Sequence, residues 1–210
     1  MKQYATAQEK FWATKFGDDY IQRNTGKRFL ENQKHYFKRI FKHIPNKNHI
    51  NSVLEFGANI GMNLRAIHAL RPRAALTAIE INATAAQAMR EWSGGSIEVF
   101  NQSILDFRPH RRWDLVFIKG VLIHVNPKKL PIVYKKLYES SAQYICVGEY
   151  YNPSPVMIPY RGYKNRLFKR DFCGEIMDRY PRLKLVAYGF NYHRDPHYPQ
   201  DDITWFLLKK

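Results

Sequence analysis

The chain has 210 residues, 45% of them hydrophobic, and carries a formal net charge of +16 from 34 Lys and Arg against 18 Asp and Glu. That length suits one α/β domain with additions, and no apolar run approaches the roughly 18 residues that span a bilayer, which argues against a membrane protein. The two cysteines, Cys146 and Cys173, offer no metal-ligand spacing, and Met1-Lys2-Gln3-Tyr4 lacks a signal peptide's apolar core, so the expected setting is reduced and cytoplasmic.

An excess of cations on this scale attracts nucleic acid, acidic membrane or a phosphorylated or carboxylated small substrate, without choosing among them. Part of it can equally be solvated helix surface.

Residues 1–26 carry Phe11-Trp12 and Phe16-Gly17-Asp18-Asp19-Tyr20. So many aromatic side chains are costly to leave in water, and the segment is expected to fold back onto the body. From Lys27 to Ile44 the apolar positions Phe29/Leu30, Tyr36/Phe37, Ile40/Phe41 and Ile44 recur at helical spacing, with Pro45-Asn46 as the stop. Val53-Leu54 then reads as a buried parallel strand that Gly57 ends. Met62–Leu70 shows helical spacing again, with Leu64, Ile67 and Leu70 on one face.

Strand, glycine turn and helix open a nucleotide-binding α/β unit. Glu55 stands at the end of that strand, where a carboxylate would repel a pyrophosphate. A cofactor with a cationic end suits it better. Ala75–Ile79 is the next strand and closes on Glu80, about 20 residues beyond the turn, where an acid can accept from both ribose hydroxyls. Alone, Glu80 could also be a surface residue at a strand end.

Asn82 caps a helix from Ala83 to Trp92, broken by Ser93-Gly94-Gly95. Ile97–Phe100 is a short third strand and Trp113–Ile118 the fourth, with Lys119–Val125 directly after it. Asn126-Pro127 supplies a cap and a proline at the first helical position. Leu130, Val133/Tyr134 and Leu137 form the buried stripe of the next helix. Tyr144–Glu149 is a fifth strand. Between it and the next helix, Tyr150–Pro155 and Pro159–Tyr163 read as a long irregular segment, too aromatic to be disordered and therefore functional. Asp171 precedes a helix through Phe172, Ile176 and Tyr180 that Pro181 stops. Leu183–Tyr188 and Ile203–Leu208 are expected to close the sheet as an antiparallel hairpin.

The run Glu55-x-Gly57-x-Asn59-x-Gly61 resembles the Glu/Asp-x-Gly-x-Gly-x-Gly motif of class I S-adenosylmethionine-dependent methyltransferases, and the likeness extends over about residues 40–210. Asn59 replaces the middle glycine, at little cost if it adopts the positive φ that asparagine tolerates. A narrower set of segments is similar to the pseudaminic acid biosynthesis-associated methylases: Phe16-Gly-Asp-Asp-Tyr, Lys119–Val125, Asn152-Pro-Ser-Pro, Tyr160-Arg-Gly, Lys169-Arg-Asp-Phe and His193-Arg-Asp-Pro.

The resemblance implies a Rossmann-like α/β fold with a mostly parallel seven-stranded sheet and a C-terminal antiparallel hairpin. It implies one domain over 1–210, with an N-terminal lid and first helix in 1–45, a cofactor-binding half in 46–150 and a substrate side in 151–210. S-adenosylmethionine is the implied cofactor, held by Glu55, Gly57, Asn59, Gly61, Glu80, Ile81, Ser103, Ile104 and Lys119. Ser103 and Ile104 contact its base, and Asp106 ties their loop down. Tyr20, a candidate catalytic residue, lines the pocket with Trp12 as part of the lid, or else the segment is a packing arm. His124 is either a general base or a group that orients its neighbours. No metal is required.

The fourth strand lacks the Asn/Asp-Pro-Pro-Tyr/Phe signature that grips planar amines, which counts against nucleobase methylation. Tyr160, Arg161, Lys169, Arg170, His193 and Arg194 form two basic-aromatic groups suited to a carboxylate or phosphate. A small anionic acceptor is the expected partner, an acidic sugar or a nucleotide-activated sugar. The same charges could instead be surface groups paired with Asp171 and Asp195. An RNA methyltransferase and a cofactor-binding protein without activity are the alternative readings, and the oligomeric state is left open.

Overall fold

The computed structural model describes residues 4–21, 23, 25–45 and 50–210. Met1–Gln3 and Asn46, on which two of the expectations above fall, lie outside the described residues. The chain divides into two compact units, Met1–Arg108 and Pro109–Lys210.

The first unit opens with helices α1 (Ala7–Ala13), α2 (Lys15–Ile21) and α3 (Lys27–Phe41). Next come strand β1 (Ser52–Phe56), helix α4 (Met62–Leu70), β2 (Ala75–Ile79), α5 (Ala83–Ser93) and β3 (Ile97–Phe100). Tyr36, Phe37, Ile40 and Phe41 are all buried, as their spacing requires. Each contributes about 1.5–3 kcal/mol as an upper figure. Helix α3 stops at Phe41, short of the expected Ile44. There the chain tightens into three-residue turns, with the amides of His43 and Ile44 donating to the carbonyls of Ile40 and Phe41. Val53, Leu54 and Phe56 are wholly buried, the continuous apolar pattern of a parallel strand covered on both faces. Strands β1, β2 and β3 pair in parallel. The N-terminal segment does fold back: Ile21 packs on a cluster of Ile60, Met62 and Ala85, which Phe29 and Leu30 of α3 also cover, and Asp18 accepts from Asn82.

The second unit contains β4 (Trp113–Lys119), 3-10 turns at Leu122–His124 and Pro127–Lys129, α6 (Leu130–Ser140) and β5 (Ser141–Glu149). Then come β6 (Val156–Tyr160), β7 (Tyr163–Lys169), α7 (Phe172–Arg179), β8 (Lys184–Phe190) and β9 (Thr204–Lys209). Leu130, Val133, Tyr134 and Leu137 form the buried stripe of α6. Asn126 caps as expected, accepting from the Lys128 amide, but a 3-10 turn precedes the helix proper. Strand β4 pairs in parallel with β5, and β9 runs antiparallel to both β5 and β8.

The larger sheet has seven strands in the order β3-β2-β1-β4-β5-β9-β8. This is the mixed α/β, Rossmann-like architecture with a closing antiparallel hairpin. Among the described residues, no helix is long and apolar enough to cross a membrane.

One expectation is corrected. The segment read as irregular is in large part a two-stranded antiparallel sheet, β6 with β7. Tyr160 pairs with Tyr163 across a two-residue turn, Arg161-Gly162, whose φ values are 50° and 82°. Positive φ at both central positions is the hairpin geometry that matches strand twist. Pro159 sits where the register shifts between Ile158 and Tyr160, a place where proline is tolerated.

Candidate functional site

In the first unit the site begins at the ends of β1 and β2. The β1–α4 turn places Gly57 at φ 75°, Asn59 at φ 50° and Gly61 at φ 77°. Asn59 thus takes the left-handed conformation that its substitution for glycine demanded. Gly61 also lacks room for a side chain, because a Cβ there would lie 2.9 Å from Met89 Cγ and 3.1 Å from the Trp92 ring on α5. Trp92 Nε1 donates to the Ile60 carbonyl at 2.8 Å and fixes the same turn from outside.

Two buried carboxylates flank this turn. Glu55 accepts from Asn63 Nδ2 at 2.7 Å, which ties the end of β1 to α4. Glu80 accepts from the Asn59 amide at 2.7 Å and from the Asn82 amide at 2.8 Å. Burial pushes the Glu80 carboxyl up, and the amides of Asn82, Asn59 and Ile81 oppose that shift. Ile81 is half-buried between them. Asn101 Nδ2 donates to the Glu80 carbonyl at 2.9 Å and so brings the β3 exit alongside.

Ser103 is buried and Ile104 half-buried in that exit loop. The Ser103 hydroxyl donates to Glu9 of α1 and accepts from the Leu105 amide. The tie that holds the loop is therefore Ser103, while Asp106, expected in that role, is exposed.

Sequence reasoning recognised Asn82 as a cap but missed its reach. Its Oδ1 accepts from the Ala85 amide, and its Nδ2 donates to Asp18 Oδ1 at 2.9 Å and to the Trp12 carbonyl at 3.3 Å. One residue thus joins α5 and the N-terminal helices through its side chain and Glu80 through its backbone amide. Tyr20 lies 5.1 Å from the Trp12 ring within a cluster that includes Phe16, with Arg23 5.8 Å from its centroid.

In the second unit, Lys119 ends β4 and donates to Gln200 Oε1 at 3.2 Å. Glu149, at the end of β5, was missed. An acid closing a strand, as Glu55 and Glu80 do, was the available signal. Its Oε1 accepts from the amides of Val121 and Leu122 at 3.0 and 2.9 Å, and its Oε2 from Ile123 at 3.4 Å. Burial pushes its carboxyl up to about 7 against those amides and Lys119. This clasp shapes the turn that carries His124.

The His124 ring is buried, with Nδ1 2.6 Å from the Arg166 carbonyl of β7 and the Tyr160 ring 4.9 Å away. Burial holds its pKa down at about 4, so the ring is neutral at pH 7. The Nδ1 contact to a carbonyl requires that nitrogen to carry the hydrogen, which leaves Nε2 as the acceptor.

The structure brings Tyr160 and His124 together, and Arg161 lies 5.6 Å from the Tyr160 ring. Lys169 stands 5.2 Å from the Tyr150 ring. Arg170 is engaged in an ion pair with Glu175 at 2.6 Å, and Glu175 also accepts from the Tyr134 hydroxyl. His193 pairs with Asp202 at 2.9 Å. These acids differ from the expected partners. Asp171 instead caps α7 through the Gly174 amide, and Asp195 accepts from the amides of His197 and Tyr198. Arg194 is exposed in the β8–β9 connection. Among the described residues, no group of three or more His, Cys, Asp or Glu is arranged to hold a metal.

No family model matches the sequence, and no curated protein matches it. Solved structures do resemble it. A magnesium protoporphyrin IX methyltransferase from Synechocystis PCC 6803, with bound SAM, superposes at a TM-score of 0.68 with 11% identity over 100% of both chains. The plantazolicin methyltransferase BpumL, in complex with SAH, gives 0.67 with 15% identity over 97% of this chain and 94% of its own. The glycopeptide N-methyltransferase MtfA, complexed with S-adenosyl-L-methionine, gives 0.59 with 12% identity over 84% and 93%. At these identities it is the architecture that is shared, and this chain has the Rossmann-like methyltransferase fold.

Proposed function

We propose that this protein transfers the methyl group of S-adenosylmethionine to an oxygen or nitrogen of a small anionic metabolite, an acidic sugar or a nucleotide-activated sugar. The observation that carries the reading is the pair of buried carboxylates, Glu55 and Glu80, on either side of a left-handed turn at the ends of adjacent parallel strands. Acceptors and negative charge concentrated there suit ribose hydroxyls and a cationic donor, and oppose a pyrophosphate. The cofactors named for the structural neighbours support the same choice.

Glu80 would hold the ribose hydroxyls. Gly57, Asn59 and Gly61 would let backbone approach the ligand, and Ser103 and Ile104 would contact the base. Glu55 would face the cationic end with Asn63 fixing its orientation, and Lys119 completes the proposed set. Bound S-adenosylmethionine supplies a methyl group already activated by its sulfonium, so the protein's share is alignment and charge.

On the acceptor side, Arg161, Lys169 and Arg194 would engage the anionic group. His124, neutral and committed through Nδ1 to Arg166, serves as a positioning group that seats the β6–β7 pair. The segments similar to the pseudaminic acid-associated methylases support a sugar-like acceptor.

The test is a screen of acidic sugars and their nucleotide conjugates with methyl-labelled S-adenosylmethionine, read by mass. A labelled acidic product is expected. Transfer confined to uncharged acceptors would contradict the proposal.

A further inference from the structure

The eleven exposed large hydrophobic residues among those described all lie between Ile132 and Tyr198, in the second unit. Three aromatic residues of that unit form a row. Tyr188 on β8 stands opposite Phe206 on β9, with ring centroids 6.3 Å apart and planes 27° from parallel. Tyr151, just beyond β5, continues the row at 6.2 Å from Phe206. Tyr188 is 69% exposed and Tyr151 44%. Rings this open, in a contiguous row, form the kind of exposed apolar surface that marks a binding site.

The row leads into a cationic element. Tyr150, next to Tyr151, has Lys169 over its ring. From Tyr150 to Arg170 the chain holds five Lys and Arg and no acid. Lys169 and Arg166 are three residues apart on β7 and so face opposite sides of the strand. The Arg166 carbonyl contacts His124, on which Tyr160 packs. The exposed rings thus adjoin, through the consecutive residues Tyr151 and Tyr150, a segment that carries a cation at Lys169. Rings with a cation close by suit a nucleobase and its phosphates.

We infer that the acceptor is bound as a nucleotide conjugate, with its base on the Tyr151–Phe206–Tyr188 row and its phosphates on Lys169. This rests on the small anionic acceptor proposed above and narrows it to the activated form. Aromatic side chains stack any base through its π face, and cations beside them hold the phosphate.

The experiment titrates CMP, UMP and GMP into the protein by calorimetry, leaving out AMP because the proposed cofactor shares its adenosine. It is repeated on Tyr188→Ala and Lys169→Ala, and paired with methyl-transfer kinetics on one acidic sugar offered free and as its nucleotide conjugate. At least one monophosphate should bind in a 1:1 ratio. Tyr188→Ala should raise its Kd by roughly 5- to 150-fold, with S-adenosylhomocysteine binding unchanged. The conjugate should exceed the free sugar at least tenfold in kcat/KM. Methylation of the free sugar with no nucleotide binding would overturn the inference and leave an anionic acceptor standing. Transfer only to uncharged acceptors would overturn both. Affinity that climbs with oligonucleotide length would assign the row to RNA. A dimer that Tyr188→Ala dissociates, with nucleotide binding unaltered, would assign it to a second copy. Either result overturns the nucleotide assignment.

Discussion

Both carboxylate oxygens of Glu80 are hydrogen-bonded to backbone amides, from Asn59 and Asn82, so its orientation is fixed by the protein itself. A carboxylate has about four acceptor directions, and those left over are the ones two ribose hydroxyls would use. Glu80→Ala should therefore weaken S-adenosylhomocysteine binding by about 1.5–3 kcal/mol, or roughly 10- to 150-fold in Kd. Calorimetry on a mutant shown to be folded by circular dichroism checks this, and an unchanged Kd would remove Glu80 from the site. Arg161 and Arg194 are the corresponding groups on the acceptor side. Alanine at either should cost roughly 2–5 kcal/mol in transition-state stabilisation while leaving cofactor affinity alone. Lysine should restore it only in part, since a point charge cannot reproduce a two-pronged grip. Steady-state kinetics on the acceptor found by the screen decides it, and wild-type efficiency in both alanine mutants would make these arginines ordinary surface charge.

At the level of elements, the turn after β4 is held by two buried groups whose pH dependences oppose one another. His124 has a folded pKa of about 4 against an ordinary 6.5, so the folded protein binds fewer protons there than the unfolded chain between those values. Its contribution is complete above 6.5 and is lost as pH falls toward 4, by about 3 kcal/mol at most. Glu149 has a folded pKa of about 7 against 4.5, so its contribution is complete below 4.5 and is lost, by a similar amount, as pH rises through 7. Relative to wild type, His124→Asn should gain stability as pH falls from 6.5 to 4. Glu149→Gln should gain as pH rises from 4.5 to 7. Urea unfolding across that range measures both, and pH-independent offsets would contradict the account. The N-terminal helices depend on a different junction. A Cβ on Gly17 would lie 1.9 Å from the Trp12 carbonyl oxygen and 2.8 Å from Asn82 Nδ2, so Gly17→Ala should dislodge α2 from α5. Faster hydrogen exchange in α1 and α2 is the expected result, and unaltered protection would show that the contact is dispensable. Most elements were legible because strong local signals agreed with packing, as in the α6 stripe and the glycine turn at Gly57. The β6–β7 pair was hidden because Pro159 masks the strand and the turn signal is Arg161-Gly162, in which arginine must take φ 50°. The reach of Asn82 to Asp18 and of Glu9 to Ser103 spans 64 and 94 residues, a separation at which local pattern carries no information.

For the molecule as a whole, alternating strands and helices around one acid-flanked turn made the fold class readable, and the charge of +16 pointed to an anion without naming it. What the anion is depends on surfaces assembled from distant segments, Tyr151, Tyr188 and Phe206 among them, which no window of sequence displays together. The cofactor can be tested without knowing the acceptor. S-adenosylhomocysteine and NAD share an adenosine and differ in the group attached to it, an amino-acid chain in one and a pyrophosphate in the other. Both carry the ribose hydroxyls that Glu80 would hold, so it is the buried Glu55, placed to repel a pyrophosphate, that should separate them. Calorimetric titration of the full chain with each ligand in parallel is the direct measurement. The account predicts saturable binding of S-adenosylhomocysteine in a roughly 1:1 ratio and no binding of NAD. Saturable NAD binding with no response to S-adenosylhomocysteine would contradict it.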